Sequence, residues 1–327
     1  MKVAALAGGV GAGKFLRGLV RVVAPEELTV VVNTADDIQL HGLHVSPDLD
    51  SVTYWLGGVA DRERGWGRAE ETFRTTEELK SFGAEGAWFG LGDLDLATHL
   101  FRTLLLAQGH TLSEATEAVT RRFGIAVKVL PMTNDQVATR VEAIDRQGRA
   151  MDLHFQEYWV RGGAADDVKA IRYEGANESR PAPGVIEAIE GAEAVIICPS
   201  NPIASIAPIL AVPGIHQAAA ARCDRVAAIS PIVGGAPLRG MADKLLPVAG
   251  VEVSAAGVAR HYGRLVGGWV IDEVDRRLEE GVRAFGARVA VTDTIMVDDD
   301  AAEKLAKVAV DLALGAAPEQ SGIRRGR

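Results

Sequence analysis

The stretch Lys2-Val-Ala-Ala-Leu-Ala-Gly-Gly-Val-Gly-Ala-Gly-Lys14 determines the fold class of this chain of 327 residues. Residues 3–7 form a short apolar run typical of a buried strand, and a helical pattern follows the glycines. A strand, a glycine loop and a helix in this order turn backbone N–H groups and the positive helix end toward a phosphate. The sequence therefore predicts an α/β protein with a phosphate- or nucleotide-binding loop.

Short apolar runs recur along the chain, each ended by a cluster of Gly, Asn, Asp, Ser or Pro. Helical patterns separate them, and this alternation is typical of a parallel sheet covered by helices. The predicted strands span residues 2–7, 28–32, 125–130, 194–198, 225–229, 268–271 and 288–291. The predicted helices span residues 14–23, 49–56, 94–108, 113–123, 202–210, 275–285 and 299–314. We therefore predict a Rossmann-like, doubly wound, mostly parallel sheet.

A different pattern occupies about residues 137–173, where apolar residues alternate on both sides of a turn at Asp145-Arg-Gln-Gly148. Alternation around such a turn predicts an antiparallel β-hairpin, which we interpret as a small antiparallel β/α insertion without a core of its own. We predict one Rossmann-like domain over residues 1–315 that contains this insertion, and a flexible tail over residues 316–327. Thr111-Leu-Ser-Glu114 has the spacing of a capping box at a helix start.

Composition and charge exclude several classes of protein. With 48% hydrophobic and 24% charged residues, the chain is globular rather than disordered or collagen-like. Its 35 Lys and Arg against 44 Asp and Glu give a net charge of −9, which argues against nucleic-acid and membrane-surface partners. Because of this charge balance we expect a small-molecule substrate. Two cysteines exclude a disulfide scaffold and indicate a reducing cytoplasm. The sequence predicts neither a signal peptide nor a membrane span, since its first apolar run is short and no later run reaches 18 residues.

The glycine loop fits neither common nucleotide-binding pattern completely. It matches GxxxxGK, but Phe15 stands where P-loop nucleoside triphosphatases need a hydroxyl on Mg²⁺. The dinucleotide pattern fits worse, because the run that starts at Gly9 has no glycine at its sixth position. A tight turn without a ligand is the alternative. We predict donor-phosphate contacts from Gly8, Gly9, Val10, Gly11 and Lys14.

Clustered polar residues follow the second predicted strand as Asn33-Thr-Ala-Asp-Asp37, at the sheet edge where open α/β folds bind ligands. Asp48 and Asp50 come next and flank a predicted helix start. Helix capping accounts for one of these two carboxylates but poorly for both. Clustered carboxylates are also suited to hold Mg²⁺ or to accept a proton from a hydroxyl.

Aromatic residues and an acid–imidazole pair follow at Trp88-Phe89 and at Asp95 and His99. Two aromatic rings ahead of a glycine turn are suited to stack on a flat ligand, although core packing is equally compatible with them. Asp95 and His99 stand at positions i and i+4 of one helical face. Such a pair is more often a structural hydrogen bond than a catalytic dyad.

Two later loops carry further candidates. Ser200 and Asn201 precede a predicted helix and form either a second ligand loop or a helix cap. Arg239 and Lys244 follow a Gly-Gly turn and either neutralise a diphosphate or lie in solvent. Cys198 lacks a His or Asn partner nearby in the sequence, so we interpret it as a buried thiol.

Taken in order, ten motifs over about residues 2–300 resemble one family, the 2-phospho-lactate transferases of deazaflavin coenzyme biosynthesis, the CofD family, and within it the bacterial phosphoenolpyruvate transferases. The motifs are Gly8-Gly-Val-Gly11 with Lys14-Phe-Leu-Arg-Gly-Leu19, Asn33-Thr-Ala-Asp-Asp37, His41-Gly-Leu43, Pro47-Asp-Leu-Asp50, Gly65-Trp-Gly67, Trp88-Phe-Gly-Leu-Gly-Asp93, Leu96-Ala-Thr-His99, Leu130-Pro-Met132, Cys198-Pro-Ser-Asn-Pro-Ile203 and Ser230-Pro-Ile-Val-Gly-Gly235. Many members have Gly-Thr-Gly-Thr-Pro-Lys where this chain has Gly9-Val-Gly-Ala-Gly-Lys14. Its loop therefore favours backbone N–H contacts over hydroxyl contacts.

The resemblance implies a Mg²⁺-dependent transferase, commonly a homodimer. Its acceptor is the deazaflavin FO, and its donor is a guanosine diphosphate ester of lactate or enolpyruvate. The ribityl hydroxyl of FO attacks the phosphorus that bears the acid, GMP departs, and the zero-glutamate form of coenzyme F(420), or its dehydro form, results. Two alternatives stay open: a P-loop-like NTPase or kinase, and a nucleotide-sugar-binding regulatory protein of the same superfamily.

The resemblance also implies roles for individual residues. Asp50 orients or deprotonates the FO hydroxyl, and Asp48 and Lys14 complete the catalytic set. The metal ligands come from Asp37, Asp48 and Asp50. The expected ribose or guanine contacts are Asn33, Ser200 and Asn201, with Thr34 as a further binding residue. The expected neighbours of the deazaflavin ring are Trp88 and Phe89.

Overall fold

The computed structural model describes residues 1–316 of the chain. Its strands are β1 (Val3–Ala7), β2 (Leu28–Val32), β3 (Ile38–Leu40), β4 (Leu43–Val45), β5 (Lys128–Pro131), β6 (Ala138–Ile144), β7 (Ala150–His154), β8 (Asp167–Glu174), β9 (Ala194–Ile197), β10 (Val226–Ile229), β11 (Ile232–Val233), β12 (Ala236–Pro237), β13 (Gly268–Asp272) and β14 (Arg288–Thr292). Its α-helices are α1 (Gly9–Val22), α2 (Pro47–Leu56), α3 (Arg74–Ser81), α4 (Asp93–Ala107), α5 (Leu112–Arg122), α6 (Val185–Gly191), α7 (Ala207–Ala211), α8 (Ile215–Ala220), α9 (Ala242–Val248), α10 (Ala255–Tyr262), α11 (Glu279–Arg283) and α12 (Asp299–Ala313).

Seven of these strands form one parallel sheet in the order β14-β13-β10-β9-β1-β2-β5. From β1 the chain runs first to one side of the sheet, through β2 and β5, and then to the other side, through β9. The order of the strands therefore reverses between β1 and β9, which is where open α/β sheets bind ligands. All seven predicted strands lie in this sheet, so the predicted doubly wound α/β fold is confirmed.

Helices cover both faces of the sheet, and alternate residues of each strand pack on opposite faces. Ala5 of β1 packs on the same face as α1 and α12, and Leu6 packs on the face that α9 and α10 cover. Every residue of β1 is buried, because a parallel sheet with two covered faces has no solvent side.

The first helix and the helix α12 are in backbone contact. A Cβ atom at Gly18 of α1 would overlap the backbone of Ala302, so this position requires glycine. Asp299, in the first turn of α12, accepts hydrogen bonds from Arg17 of α1 at 2.8 Å and from Arg62 at 3.2 Å. Helix α12 therefore supports both α1 and the loop that contains Arg62.

The predicted hairpin between about residues 137 and 173 is formed by β6 and β7. A third strand, β8, pairs with the other edge of β6 and was not predicted, since none of its residues is fully buried and its alternation is weak. Val141 of β6 lies in the same buried cluster as Leu130 of β5, so the small antiparallel sheet extends the main core. After β7, residues Glu157–Arg161 form one π-helical turn.

The boundaries of several helices differ from the prediction. Helix α1 begins at Gly9 rather than at residue 14, so the glycine loop is its first turn. Helices α3, α6, α8, α9 and α10 were not predicted because each has only six to eight residues. The capping box at Thr111 is confirmed. The predicted tail lies outside the described residues from residue 317 onward, and no helix within residues 1–316 is long and apolar enough to cross a membrane.

Candidate active site

A cavity of about 990 Å³ opens at the carboxyl end of the central sheet, beside the reversal point between β1 and β9. The segments that follow β1, β2, β9, β10 and β14 all contribute to its wall. The loop that contains Trp66 and the π-helical turn of the antiparallel sheet close its sides. Its size and position are those of a ligand site in an open α/β fold.

The glycine loop forms one wall of this cavity. A Cβ at Gly8 would overlap the carboxylate of Asp48, and a Cβ at Gly11 would overlap the carbonyl oxygen of Pro199. Gly9 has a φ of +72°, a left-handed conformation that favours glycine. The first turn of α1 carries no acidic residue of its own, but the Asp48 carboxylate lies against its positive dipole end and accepts a hydrogen bond from the Gly9 N–H. The predicted phosphate residues Gly8, Gly9, Val10, Gly11 and Lys14 all line the cavity.

Two cationic side chains lie at this end of the cavity. Burial, and then repulsion from Arg239, lowers the pKa of Lys14. The Lys14 Nζ atom lies 5.9 Å from the centroid of the Trp55 ring. Arg239 also lines the cavity, whereas Lys244 does not and instead donates to the carbonyl of Ala164. Of Arg239 and Lys244, which the sequence suggested together as candidates for a diphosphate contact, only Arg239 therefore lies on the cavity wall.

Asp36 and Asp48 form an acidic pair beside the glycine loop, because the Asp48 carboxylate lies against Gly8 and Gly9. The Asn33 Nδ2 atom lies 3.3 Å from Asp36 Oδ1 and 3.0 Å from Asp48 Oδ2, and Gln156 donates to Asp36 Oδ2 at 3.0 Å. The two aspartates are 4% and 6% exposed. Burial, with repulsion from Asp37, raises the pKa of Asp48 to about 7. Burial, followed by repulsion from Asp48 and Asp37, raises the pKa of Asp36 well above its usual range.

Asp37 and Thr34 do not line the cavity, although the sequence had assigned both to the site. Asp37 Oδ2 lies 2.8 Å from His44 Nε2 and accepts a hydrogen bond from Ser46 Oγ at 2.7 Å. Asn33 is completely buried and acts behind the acidic pair rather than on its surface. The motif Asn33-Thr-Ala-Asp-Asp37 contains both aspartates, and the turn after β2 decides that Asp36 faces the cavity.

A second group of charged residues, the Asp50 network, joins α2 to α4. Arg102 is 1% exposed and donates to both carboxylate oxygens of Asp50, at 3.0 Å in the Nη1 to Oδ2 bond. Burial lowers the pKa of Arg102, but the charge of Asp50, its hydrogen bond to Arg102 and the charge of Asp37 together raise it above its usual value. The predicted pair of Asp95 and His99 is formed, with 3.3 Å between Asp95 Oδ1 and His99 Nε2. Tyr54 donates to Asp95 at 2.5 Å, and His99 Nδ1 lies 3.5 Å from Asp50 Oδ2.

The loop after β9 brings two further predicted residues to the cavity. Ser200 Oγ accepts a hydrogen bond from the Gly8 N–H at 3.2 Å, which fixes the start of the glycine loop. Asn201 Oδ1 caps the following helical turn by accepting from Ile203 and Ala204 at 2.9 and 3.1 Å. Capping is therefore present and coexists with a position on the cavity wall. Cys198 is buried, as predicted, and burial raises the pKa of its thiol.

The aromatic side chains that line the cavity are not the same as those predicted. Phe89 lines the cavity, whereas Trp88 does not and packs edge-on against Phe89 with 5.6 Å between the ring centroids. Trp66 and Trp159 line the cavity, although neither was assigned to the site. Trp66 lies in the motif Gly65-Trp-Gly67, so the sequence did contain a signal for this residue. Trp159 belongs to the antiparallel insertion, whose position over the cavity depends on tertiary packing.

The acidic pair is the part of the site that fits Mg²⁺. Within residues 1–316, no three His, Cys, Asp or Glu side chains are arranged to hold one metal ion. Mg²⁺ usually takes one or two protein carboxylates and completes its shell with waters and substrate phosphates. Burial and neighbouring carboxylates raise the pKa of Asp36 and of Asp48, and the hydrogen bonds that oppose this rise come from neutral donors, so a bound cation would relieve the repulsion between the two. Asp50 differs because Arg102 occupies both of its oxygens.

The whole chain matches one protein family. The sequence model of the 2-phospho-L-lactate transferase CofD matches residues 3–313. This chain belongs to the CofD family. The resemblance predicted from ordered motifs is thus confirmed, and the glycine loop, the acidic pair and the Asp50 network lie within the matched residues.

The relatives of this CofD-family chain include three proteins named phosphoenolpyruvate transferase. The one from Streptomyces griseus is 49% identical over 314 residues, covering 96% of this chain and 98% of the relative. The one from Thermobifida fusca is 48% identical over 323 residues, with coverage of 96% and 98%. The one from Mycolicibacterium smegmatis is 40% identical over 328 residues, with coverage of 96% and 99%.

A solved structure supports the fold of the CofD-family chain. A member of the UPF0052 family from Bacillus halodurans superimposes with a TM-score of 0.60, covering 94% of this chain and 99% of its own. A second crystal structure from that family and organism gives a TM-score of 0.59. The sequence identities are 17% and 16%, so this likeness concerns the fold alone.

Proposed function

We propose that this protein transfers a phosphoenolpyruvyl or 2-phospholactyl group from a guanosine diphosphate ester to the ribityl hydroxyl of FO. GMP leaves, and the product is coenzyme F(420)-0 or its dehydro form. One observation carries the proposal: the glycine loop at the start of α1, Lys14 and the acidic pair, whose hydrogen-bond donors are neutral, line one cavity. The relatives named phosphoenolpyruvate transferase support the type of group transferred.

The reaction forms one P–O bond and breaks another. The ribityl oxygen bonds to the phosphorus that bears the three-carbon acid, and the bond from that phosphorus to GMP breaks with its electron pair on GMP. Asp50 orients the attacking hydroxyl and accepts its proton, and Arg102 keeps the Asp50 carboxylate in one orientation. Holding the two reactants in line supplies much of the rate enhancement in phosphoryl-type transfer.

The donor diphosphate meets both the glycine loop and the acidic pair beside it. The N–H groups at the start of α1 and the Lys14 ammonium group bind phosphate oxygens. Asp36 and Asp48 would hold Mg²⁺, which when bound neutralises negative charge on the diphosphate. Ser200 and Asn201 lie beside the phosphate wall and remain our candidates for ribose or guanine contacts. Phe89, Trp66 and Trp159 offer aromatic surface to the deazaflavin ring.

Product analysis tests this function. We expect that FO incubated with the enolpyruvyl or the lactyl donor and Mg²⁺ gives the corresponding F(420)-0 form in mass spectra, with equimolar GMP, and that EDTA stops the reaction. The ratio of the two initial rates identifies the preferred acid. Absence of product with both donors, under conditions where the protein binds GDP, would contradict the transferase function.

The P-loop-like NTPase alternative is disfavoured by one residue. Phe15 is fully buried in the core between α1 and the sheet, so its position cannot present a side chain to a nucleotide-bound Mg²⁺. ATP hydrolysis at a rate comparable to group transfer would contradict this argument. The regulatory alternative predicts nucleotide binding without FO binding, and a fluorescence titration of FO separates the two.

The family resemblance also leads us to propose a homodimer in the cytoplasm, with FO and the guanosine diphosphate ester as small-molecule partners and no nucleic-acid or membrane partner. Light scattering after size-exclusion chromatography measures the oligomeric state directly. A mass of one chain, 34.6 kDa, at micromolar concentration would contradict the homodimer.

A further inference from the structure

Arg239 lies beside the glycine loop, on the segment that follows β12. Its Nη1 donates to the carbonyl of Arg64 at 2.6 Å, and its Nη2 donates to the carbonyl of Glu63 at 3.1 Å. A Cβ at Gly65 would overlap the Arg239 guanidinium and lie 2.9 Å from Cγ1 of Val10. The guanidinium therefore sits between the Trp66 loop and the first turn of α1, on the cavity wall.

The charge at this end of the cavity is unbalanced. Within residues 1–316, neither Lys14 nor Arg239 forms an ion pair with a carboxylate, and the hydrogen bonds of Arg239 go to backbone carbonyls. The neighbouring Arg64 is different, because it pairs with Asp61 at 3.0 Å. Two cations that face one cavity repel each other, and an anionic ligand relieves that repulsion. A guanidinium in addition has donors in a fork that matches phosphate oxygens.

We propose that Arg239 and Lys14 form a two-cation subsite for the donor's diphosphate, in which each cation binds a different phosphate group. This inference rests on the proposed function, since it takes a guanosine diphosphate ester as the ligand. The subsite distinguishes a diphosphate from a monophosphate. GMP, which has one phosphate, loses one of the two cationic contacts, so the same residue that holds the donor favours release of the product.

The test compares the affinities for GDP and GMP, measured by titration calorimetry at fixed ionic strength and fixed Mg²⁺. Because a hydrogen bond to a charged group is lost, we expect Arg239→Gln to weaken GDP binding about 10- to 100-fold. GMP binding should change by less than about threefold, since one cationic contact remains. Arg121→Gln is the matched control, because the Arg121 side chain is 73% exposed and pairs with Glu117 away from the cavity.

The ratio of the two affinities separates a ligand contact from a structural role. If Arg239 only held the Trp66 loop through the carbonyls of Glu63 and Arg64, its loss would weaken GDP and GMP binding equally. An equal loss, or unchanged GDP affinity, would overturn the subsite. Arg239→Lys retains the charge, and we expect it to recover part of the preference for GDP. Wild-type protein that binds neither nucleotide would instead overturn the proposed donor class.

Discussion

Two groups of buried carboxylates line the same cavity, and the chain balances their charges differently. Asp50 faces the guanidinium of Arg102, whereas Asp36 and Asp48 face the neutral amide of Asn33. A carboxylate paired with a buried guanidinium is held in place, but one whose partners are neutral is desolvated without a compensating charge, which raises its pKa. Two aspartates two positions apart on α2 thus differ in their surroundings: Arg102 holds Asp50 in one orientation, whereas the hydrogen bonds to Asp48 come from neutral donors, which suits the metal-binding role that we propose for it.

The largest expected effect is that of Asp50→Asn. The change removes the proton acceptor, so turnover should fall by about 10²–10⁴-fold. It also leaves Arg102 buried without its ion pair, so the free energy of unfolding should fall by about 3–5 kcal/mol. Steady-state kinetics and urea unfolding measure the two losses. The Mg²⁺ response should remain, because Asp36 and Asp48 are unchanged; its disappearance would make Asp50 a metal ligand.

Asp48→Asn should change stability in the opposite direction. Loss of a metal-binding carboxylate should lower turnover by about 10²-fold or more. Loss of a residue that only supports a metal ligand already lowers metal affinity or activity by about 10- to 100-fold. In metal-free protein at pH 8, however, the variant should unfold with a free energy roughly 1–4 kcal/mol higher, since it removes a charge that the fold disfavours. Urea unfolding in EDTA gives this value. Destabilisation in EDTA would show that the Asp48 charge is balanced after all.

The pH dependence of metal-free stability follows from the same carboxylate. The pKa of Asp48 is about 7 in the folded protein and about 3.9 in an unfolded chain, so the folded state binds the extra proton between these values. The contribution of Asp48 therefore destabilises the fold progressively as pH rises from about 4 to about 7, and it is constant above that. Melting temperatures with EDTA should show this fall, and Mg²⁺ at pH 8 should reverse it. An identical profile for Asp48→Asn would exclude Asp48 as its source.

Lys14→Ala changes a cationic side chain on the cavity wall and leaves the acidic pair intact. Loss of a charged hydrogen bond to phosphate should weaken GDP binding by about 1.5–3 kcal/mol. The Mg²⁺ effect on melting temperature should persist, because the acidic pair is unchanged. Lys244→Ala is the matched control, since Lys244 does not line the cavity. Unchanged GDP affinity in Lys14→Ala would assign Lys14 to the structure of α1.

The smallest effect concerns the two adjacent aromatic residues, which differ in their access to the cavity. Phe89→Leu should weaken FO binding by about 0.5–1.5 kcal/mol, the range for loss of an aromatic contact. Trp88→Leu should weaken it less, because Trp88 packs behind Phe89. Fluorescence titration of FO measures both. A larger effect of Trp88 would restore the sequence-based assignment of that residue to the deazaflavin ring.

The sheet could be predicted because its signal is local. Strands such as β2 and β10 are short apolar runs that end in polar turns, and both were located to within one residue. The glycine loop was equally readable, since left-handed or tightly packed positions such as Gly9 and Gly11 accept few other residues. Strand β8 lacks such a signal because all its residues are exposed or half-buried.

The parts of the site that the sequence did not reveal depend on contacts between distant segments. Arg102 follows His99 by three positions, so the two residues share one helical face, but the partner of Arg102, Asp50, lies on another helix. Gln156 contacts Asp36 across 120 positions of sequence. A single turn decides which of the adjacent residues Asp36 and Asp37 faces the cavity. The sequence therefore led us to assign Asp37 to the site, whereas the cavity is lined by Asp36.

The packing of α12 against α1 has a consequence for synthesis of the chain. Helix α1 is translated first among the described helices and α12 last, yet Gly18 and Ala302 bring their backbones into contact, and Asp299 holds Arg17. While the ribosome is still making the intervening residues, the apolar side of α1 lacks this cover. The glycine loop at the start of α1 therefore gains its final support only when residues 299–313 emerge, so this wall of the cavity is completed late in synthesis of the chain.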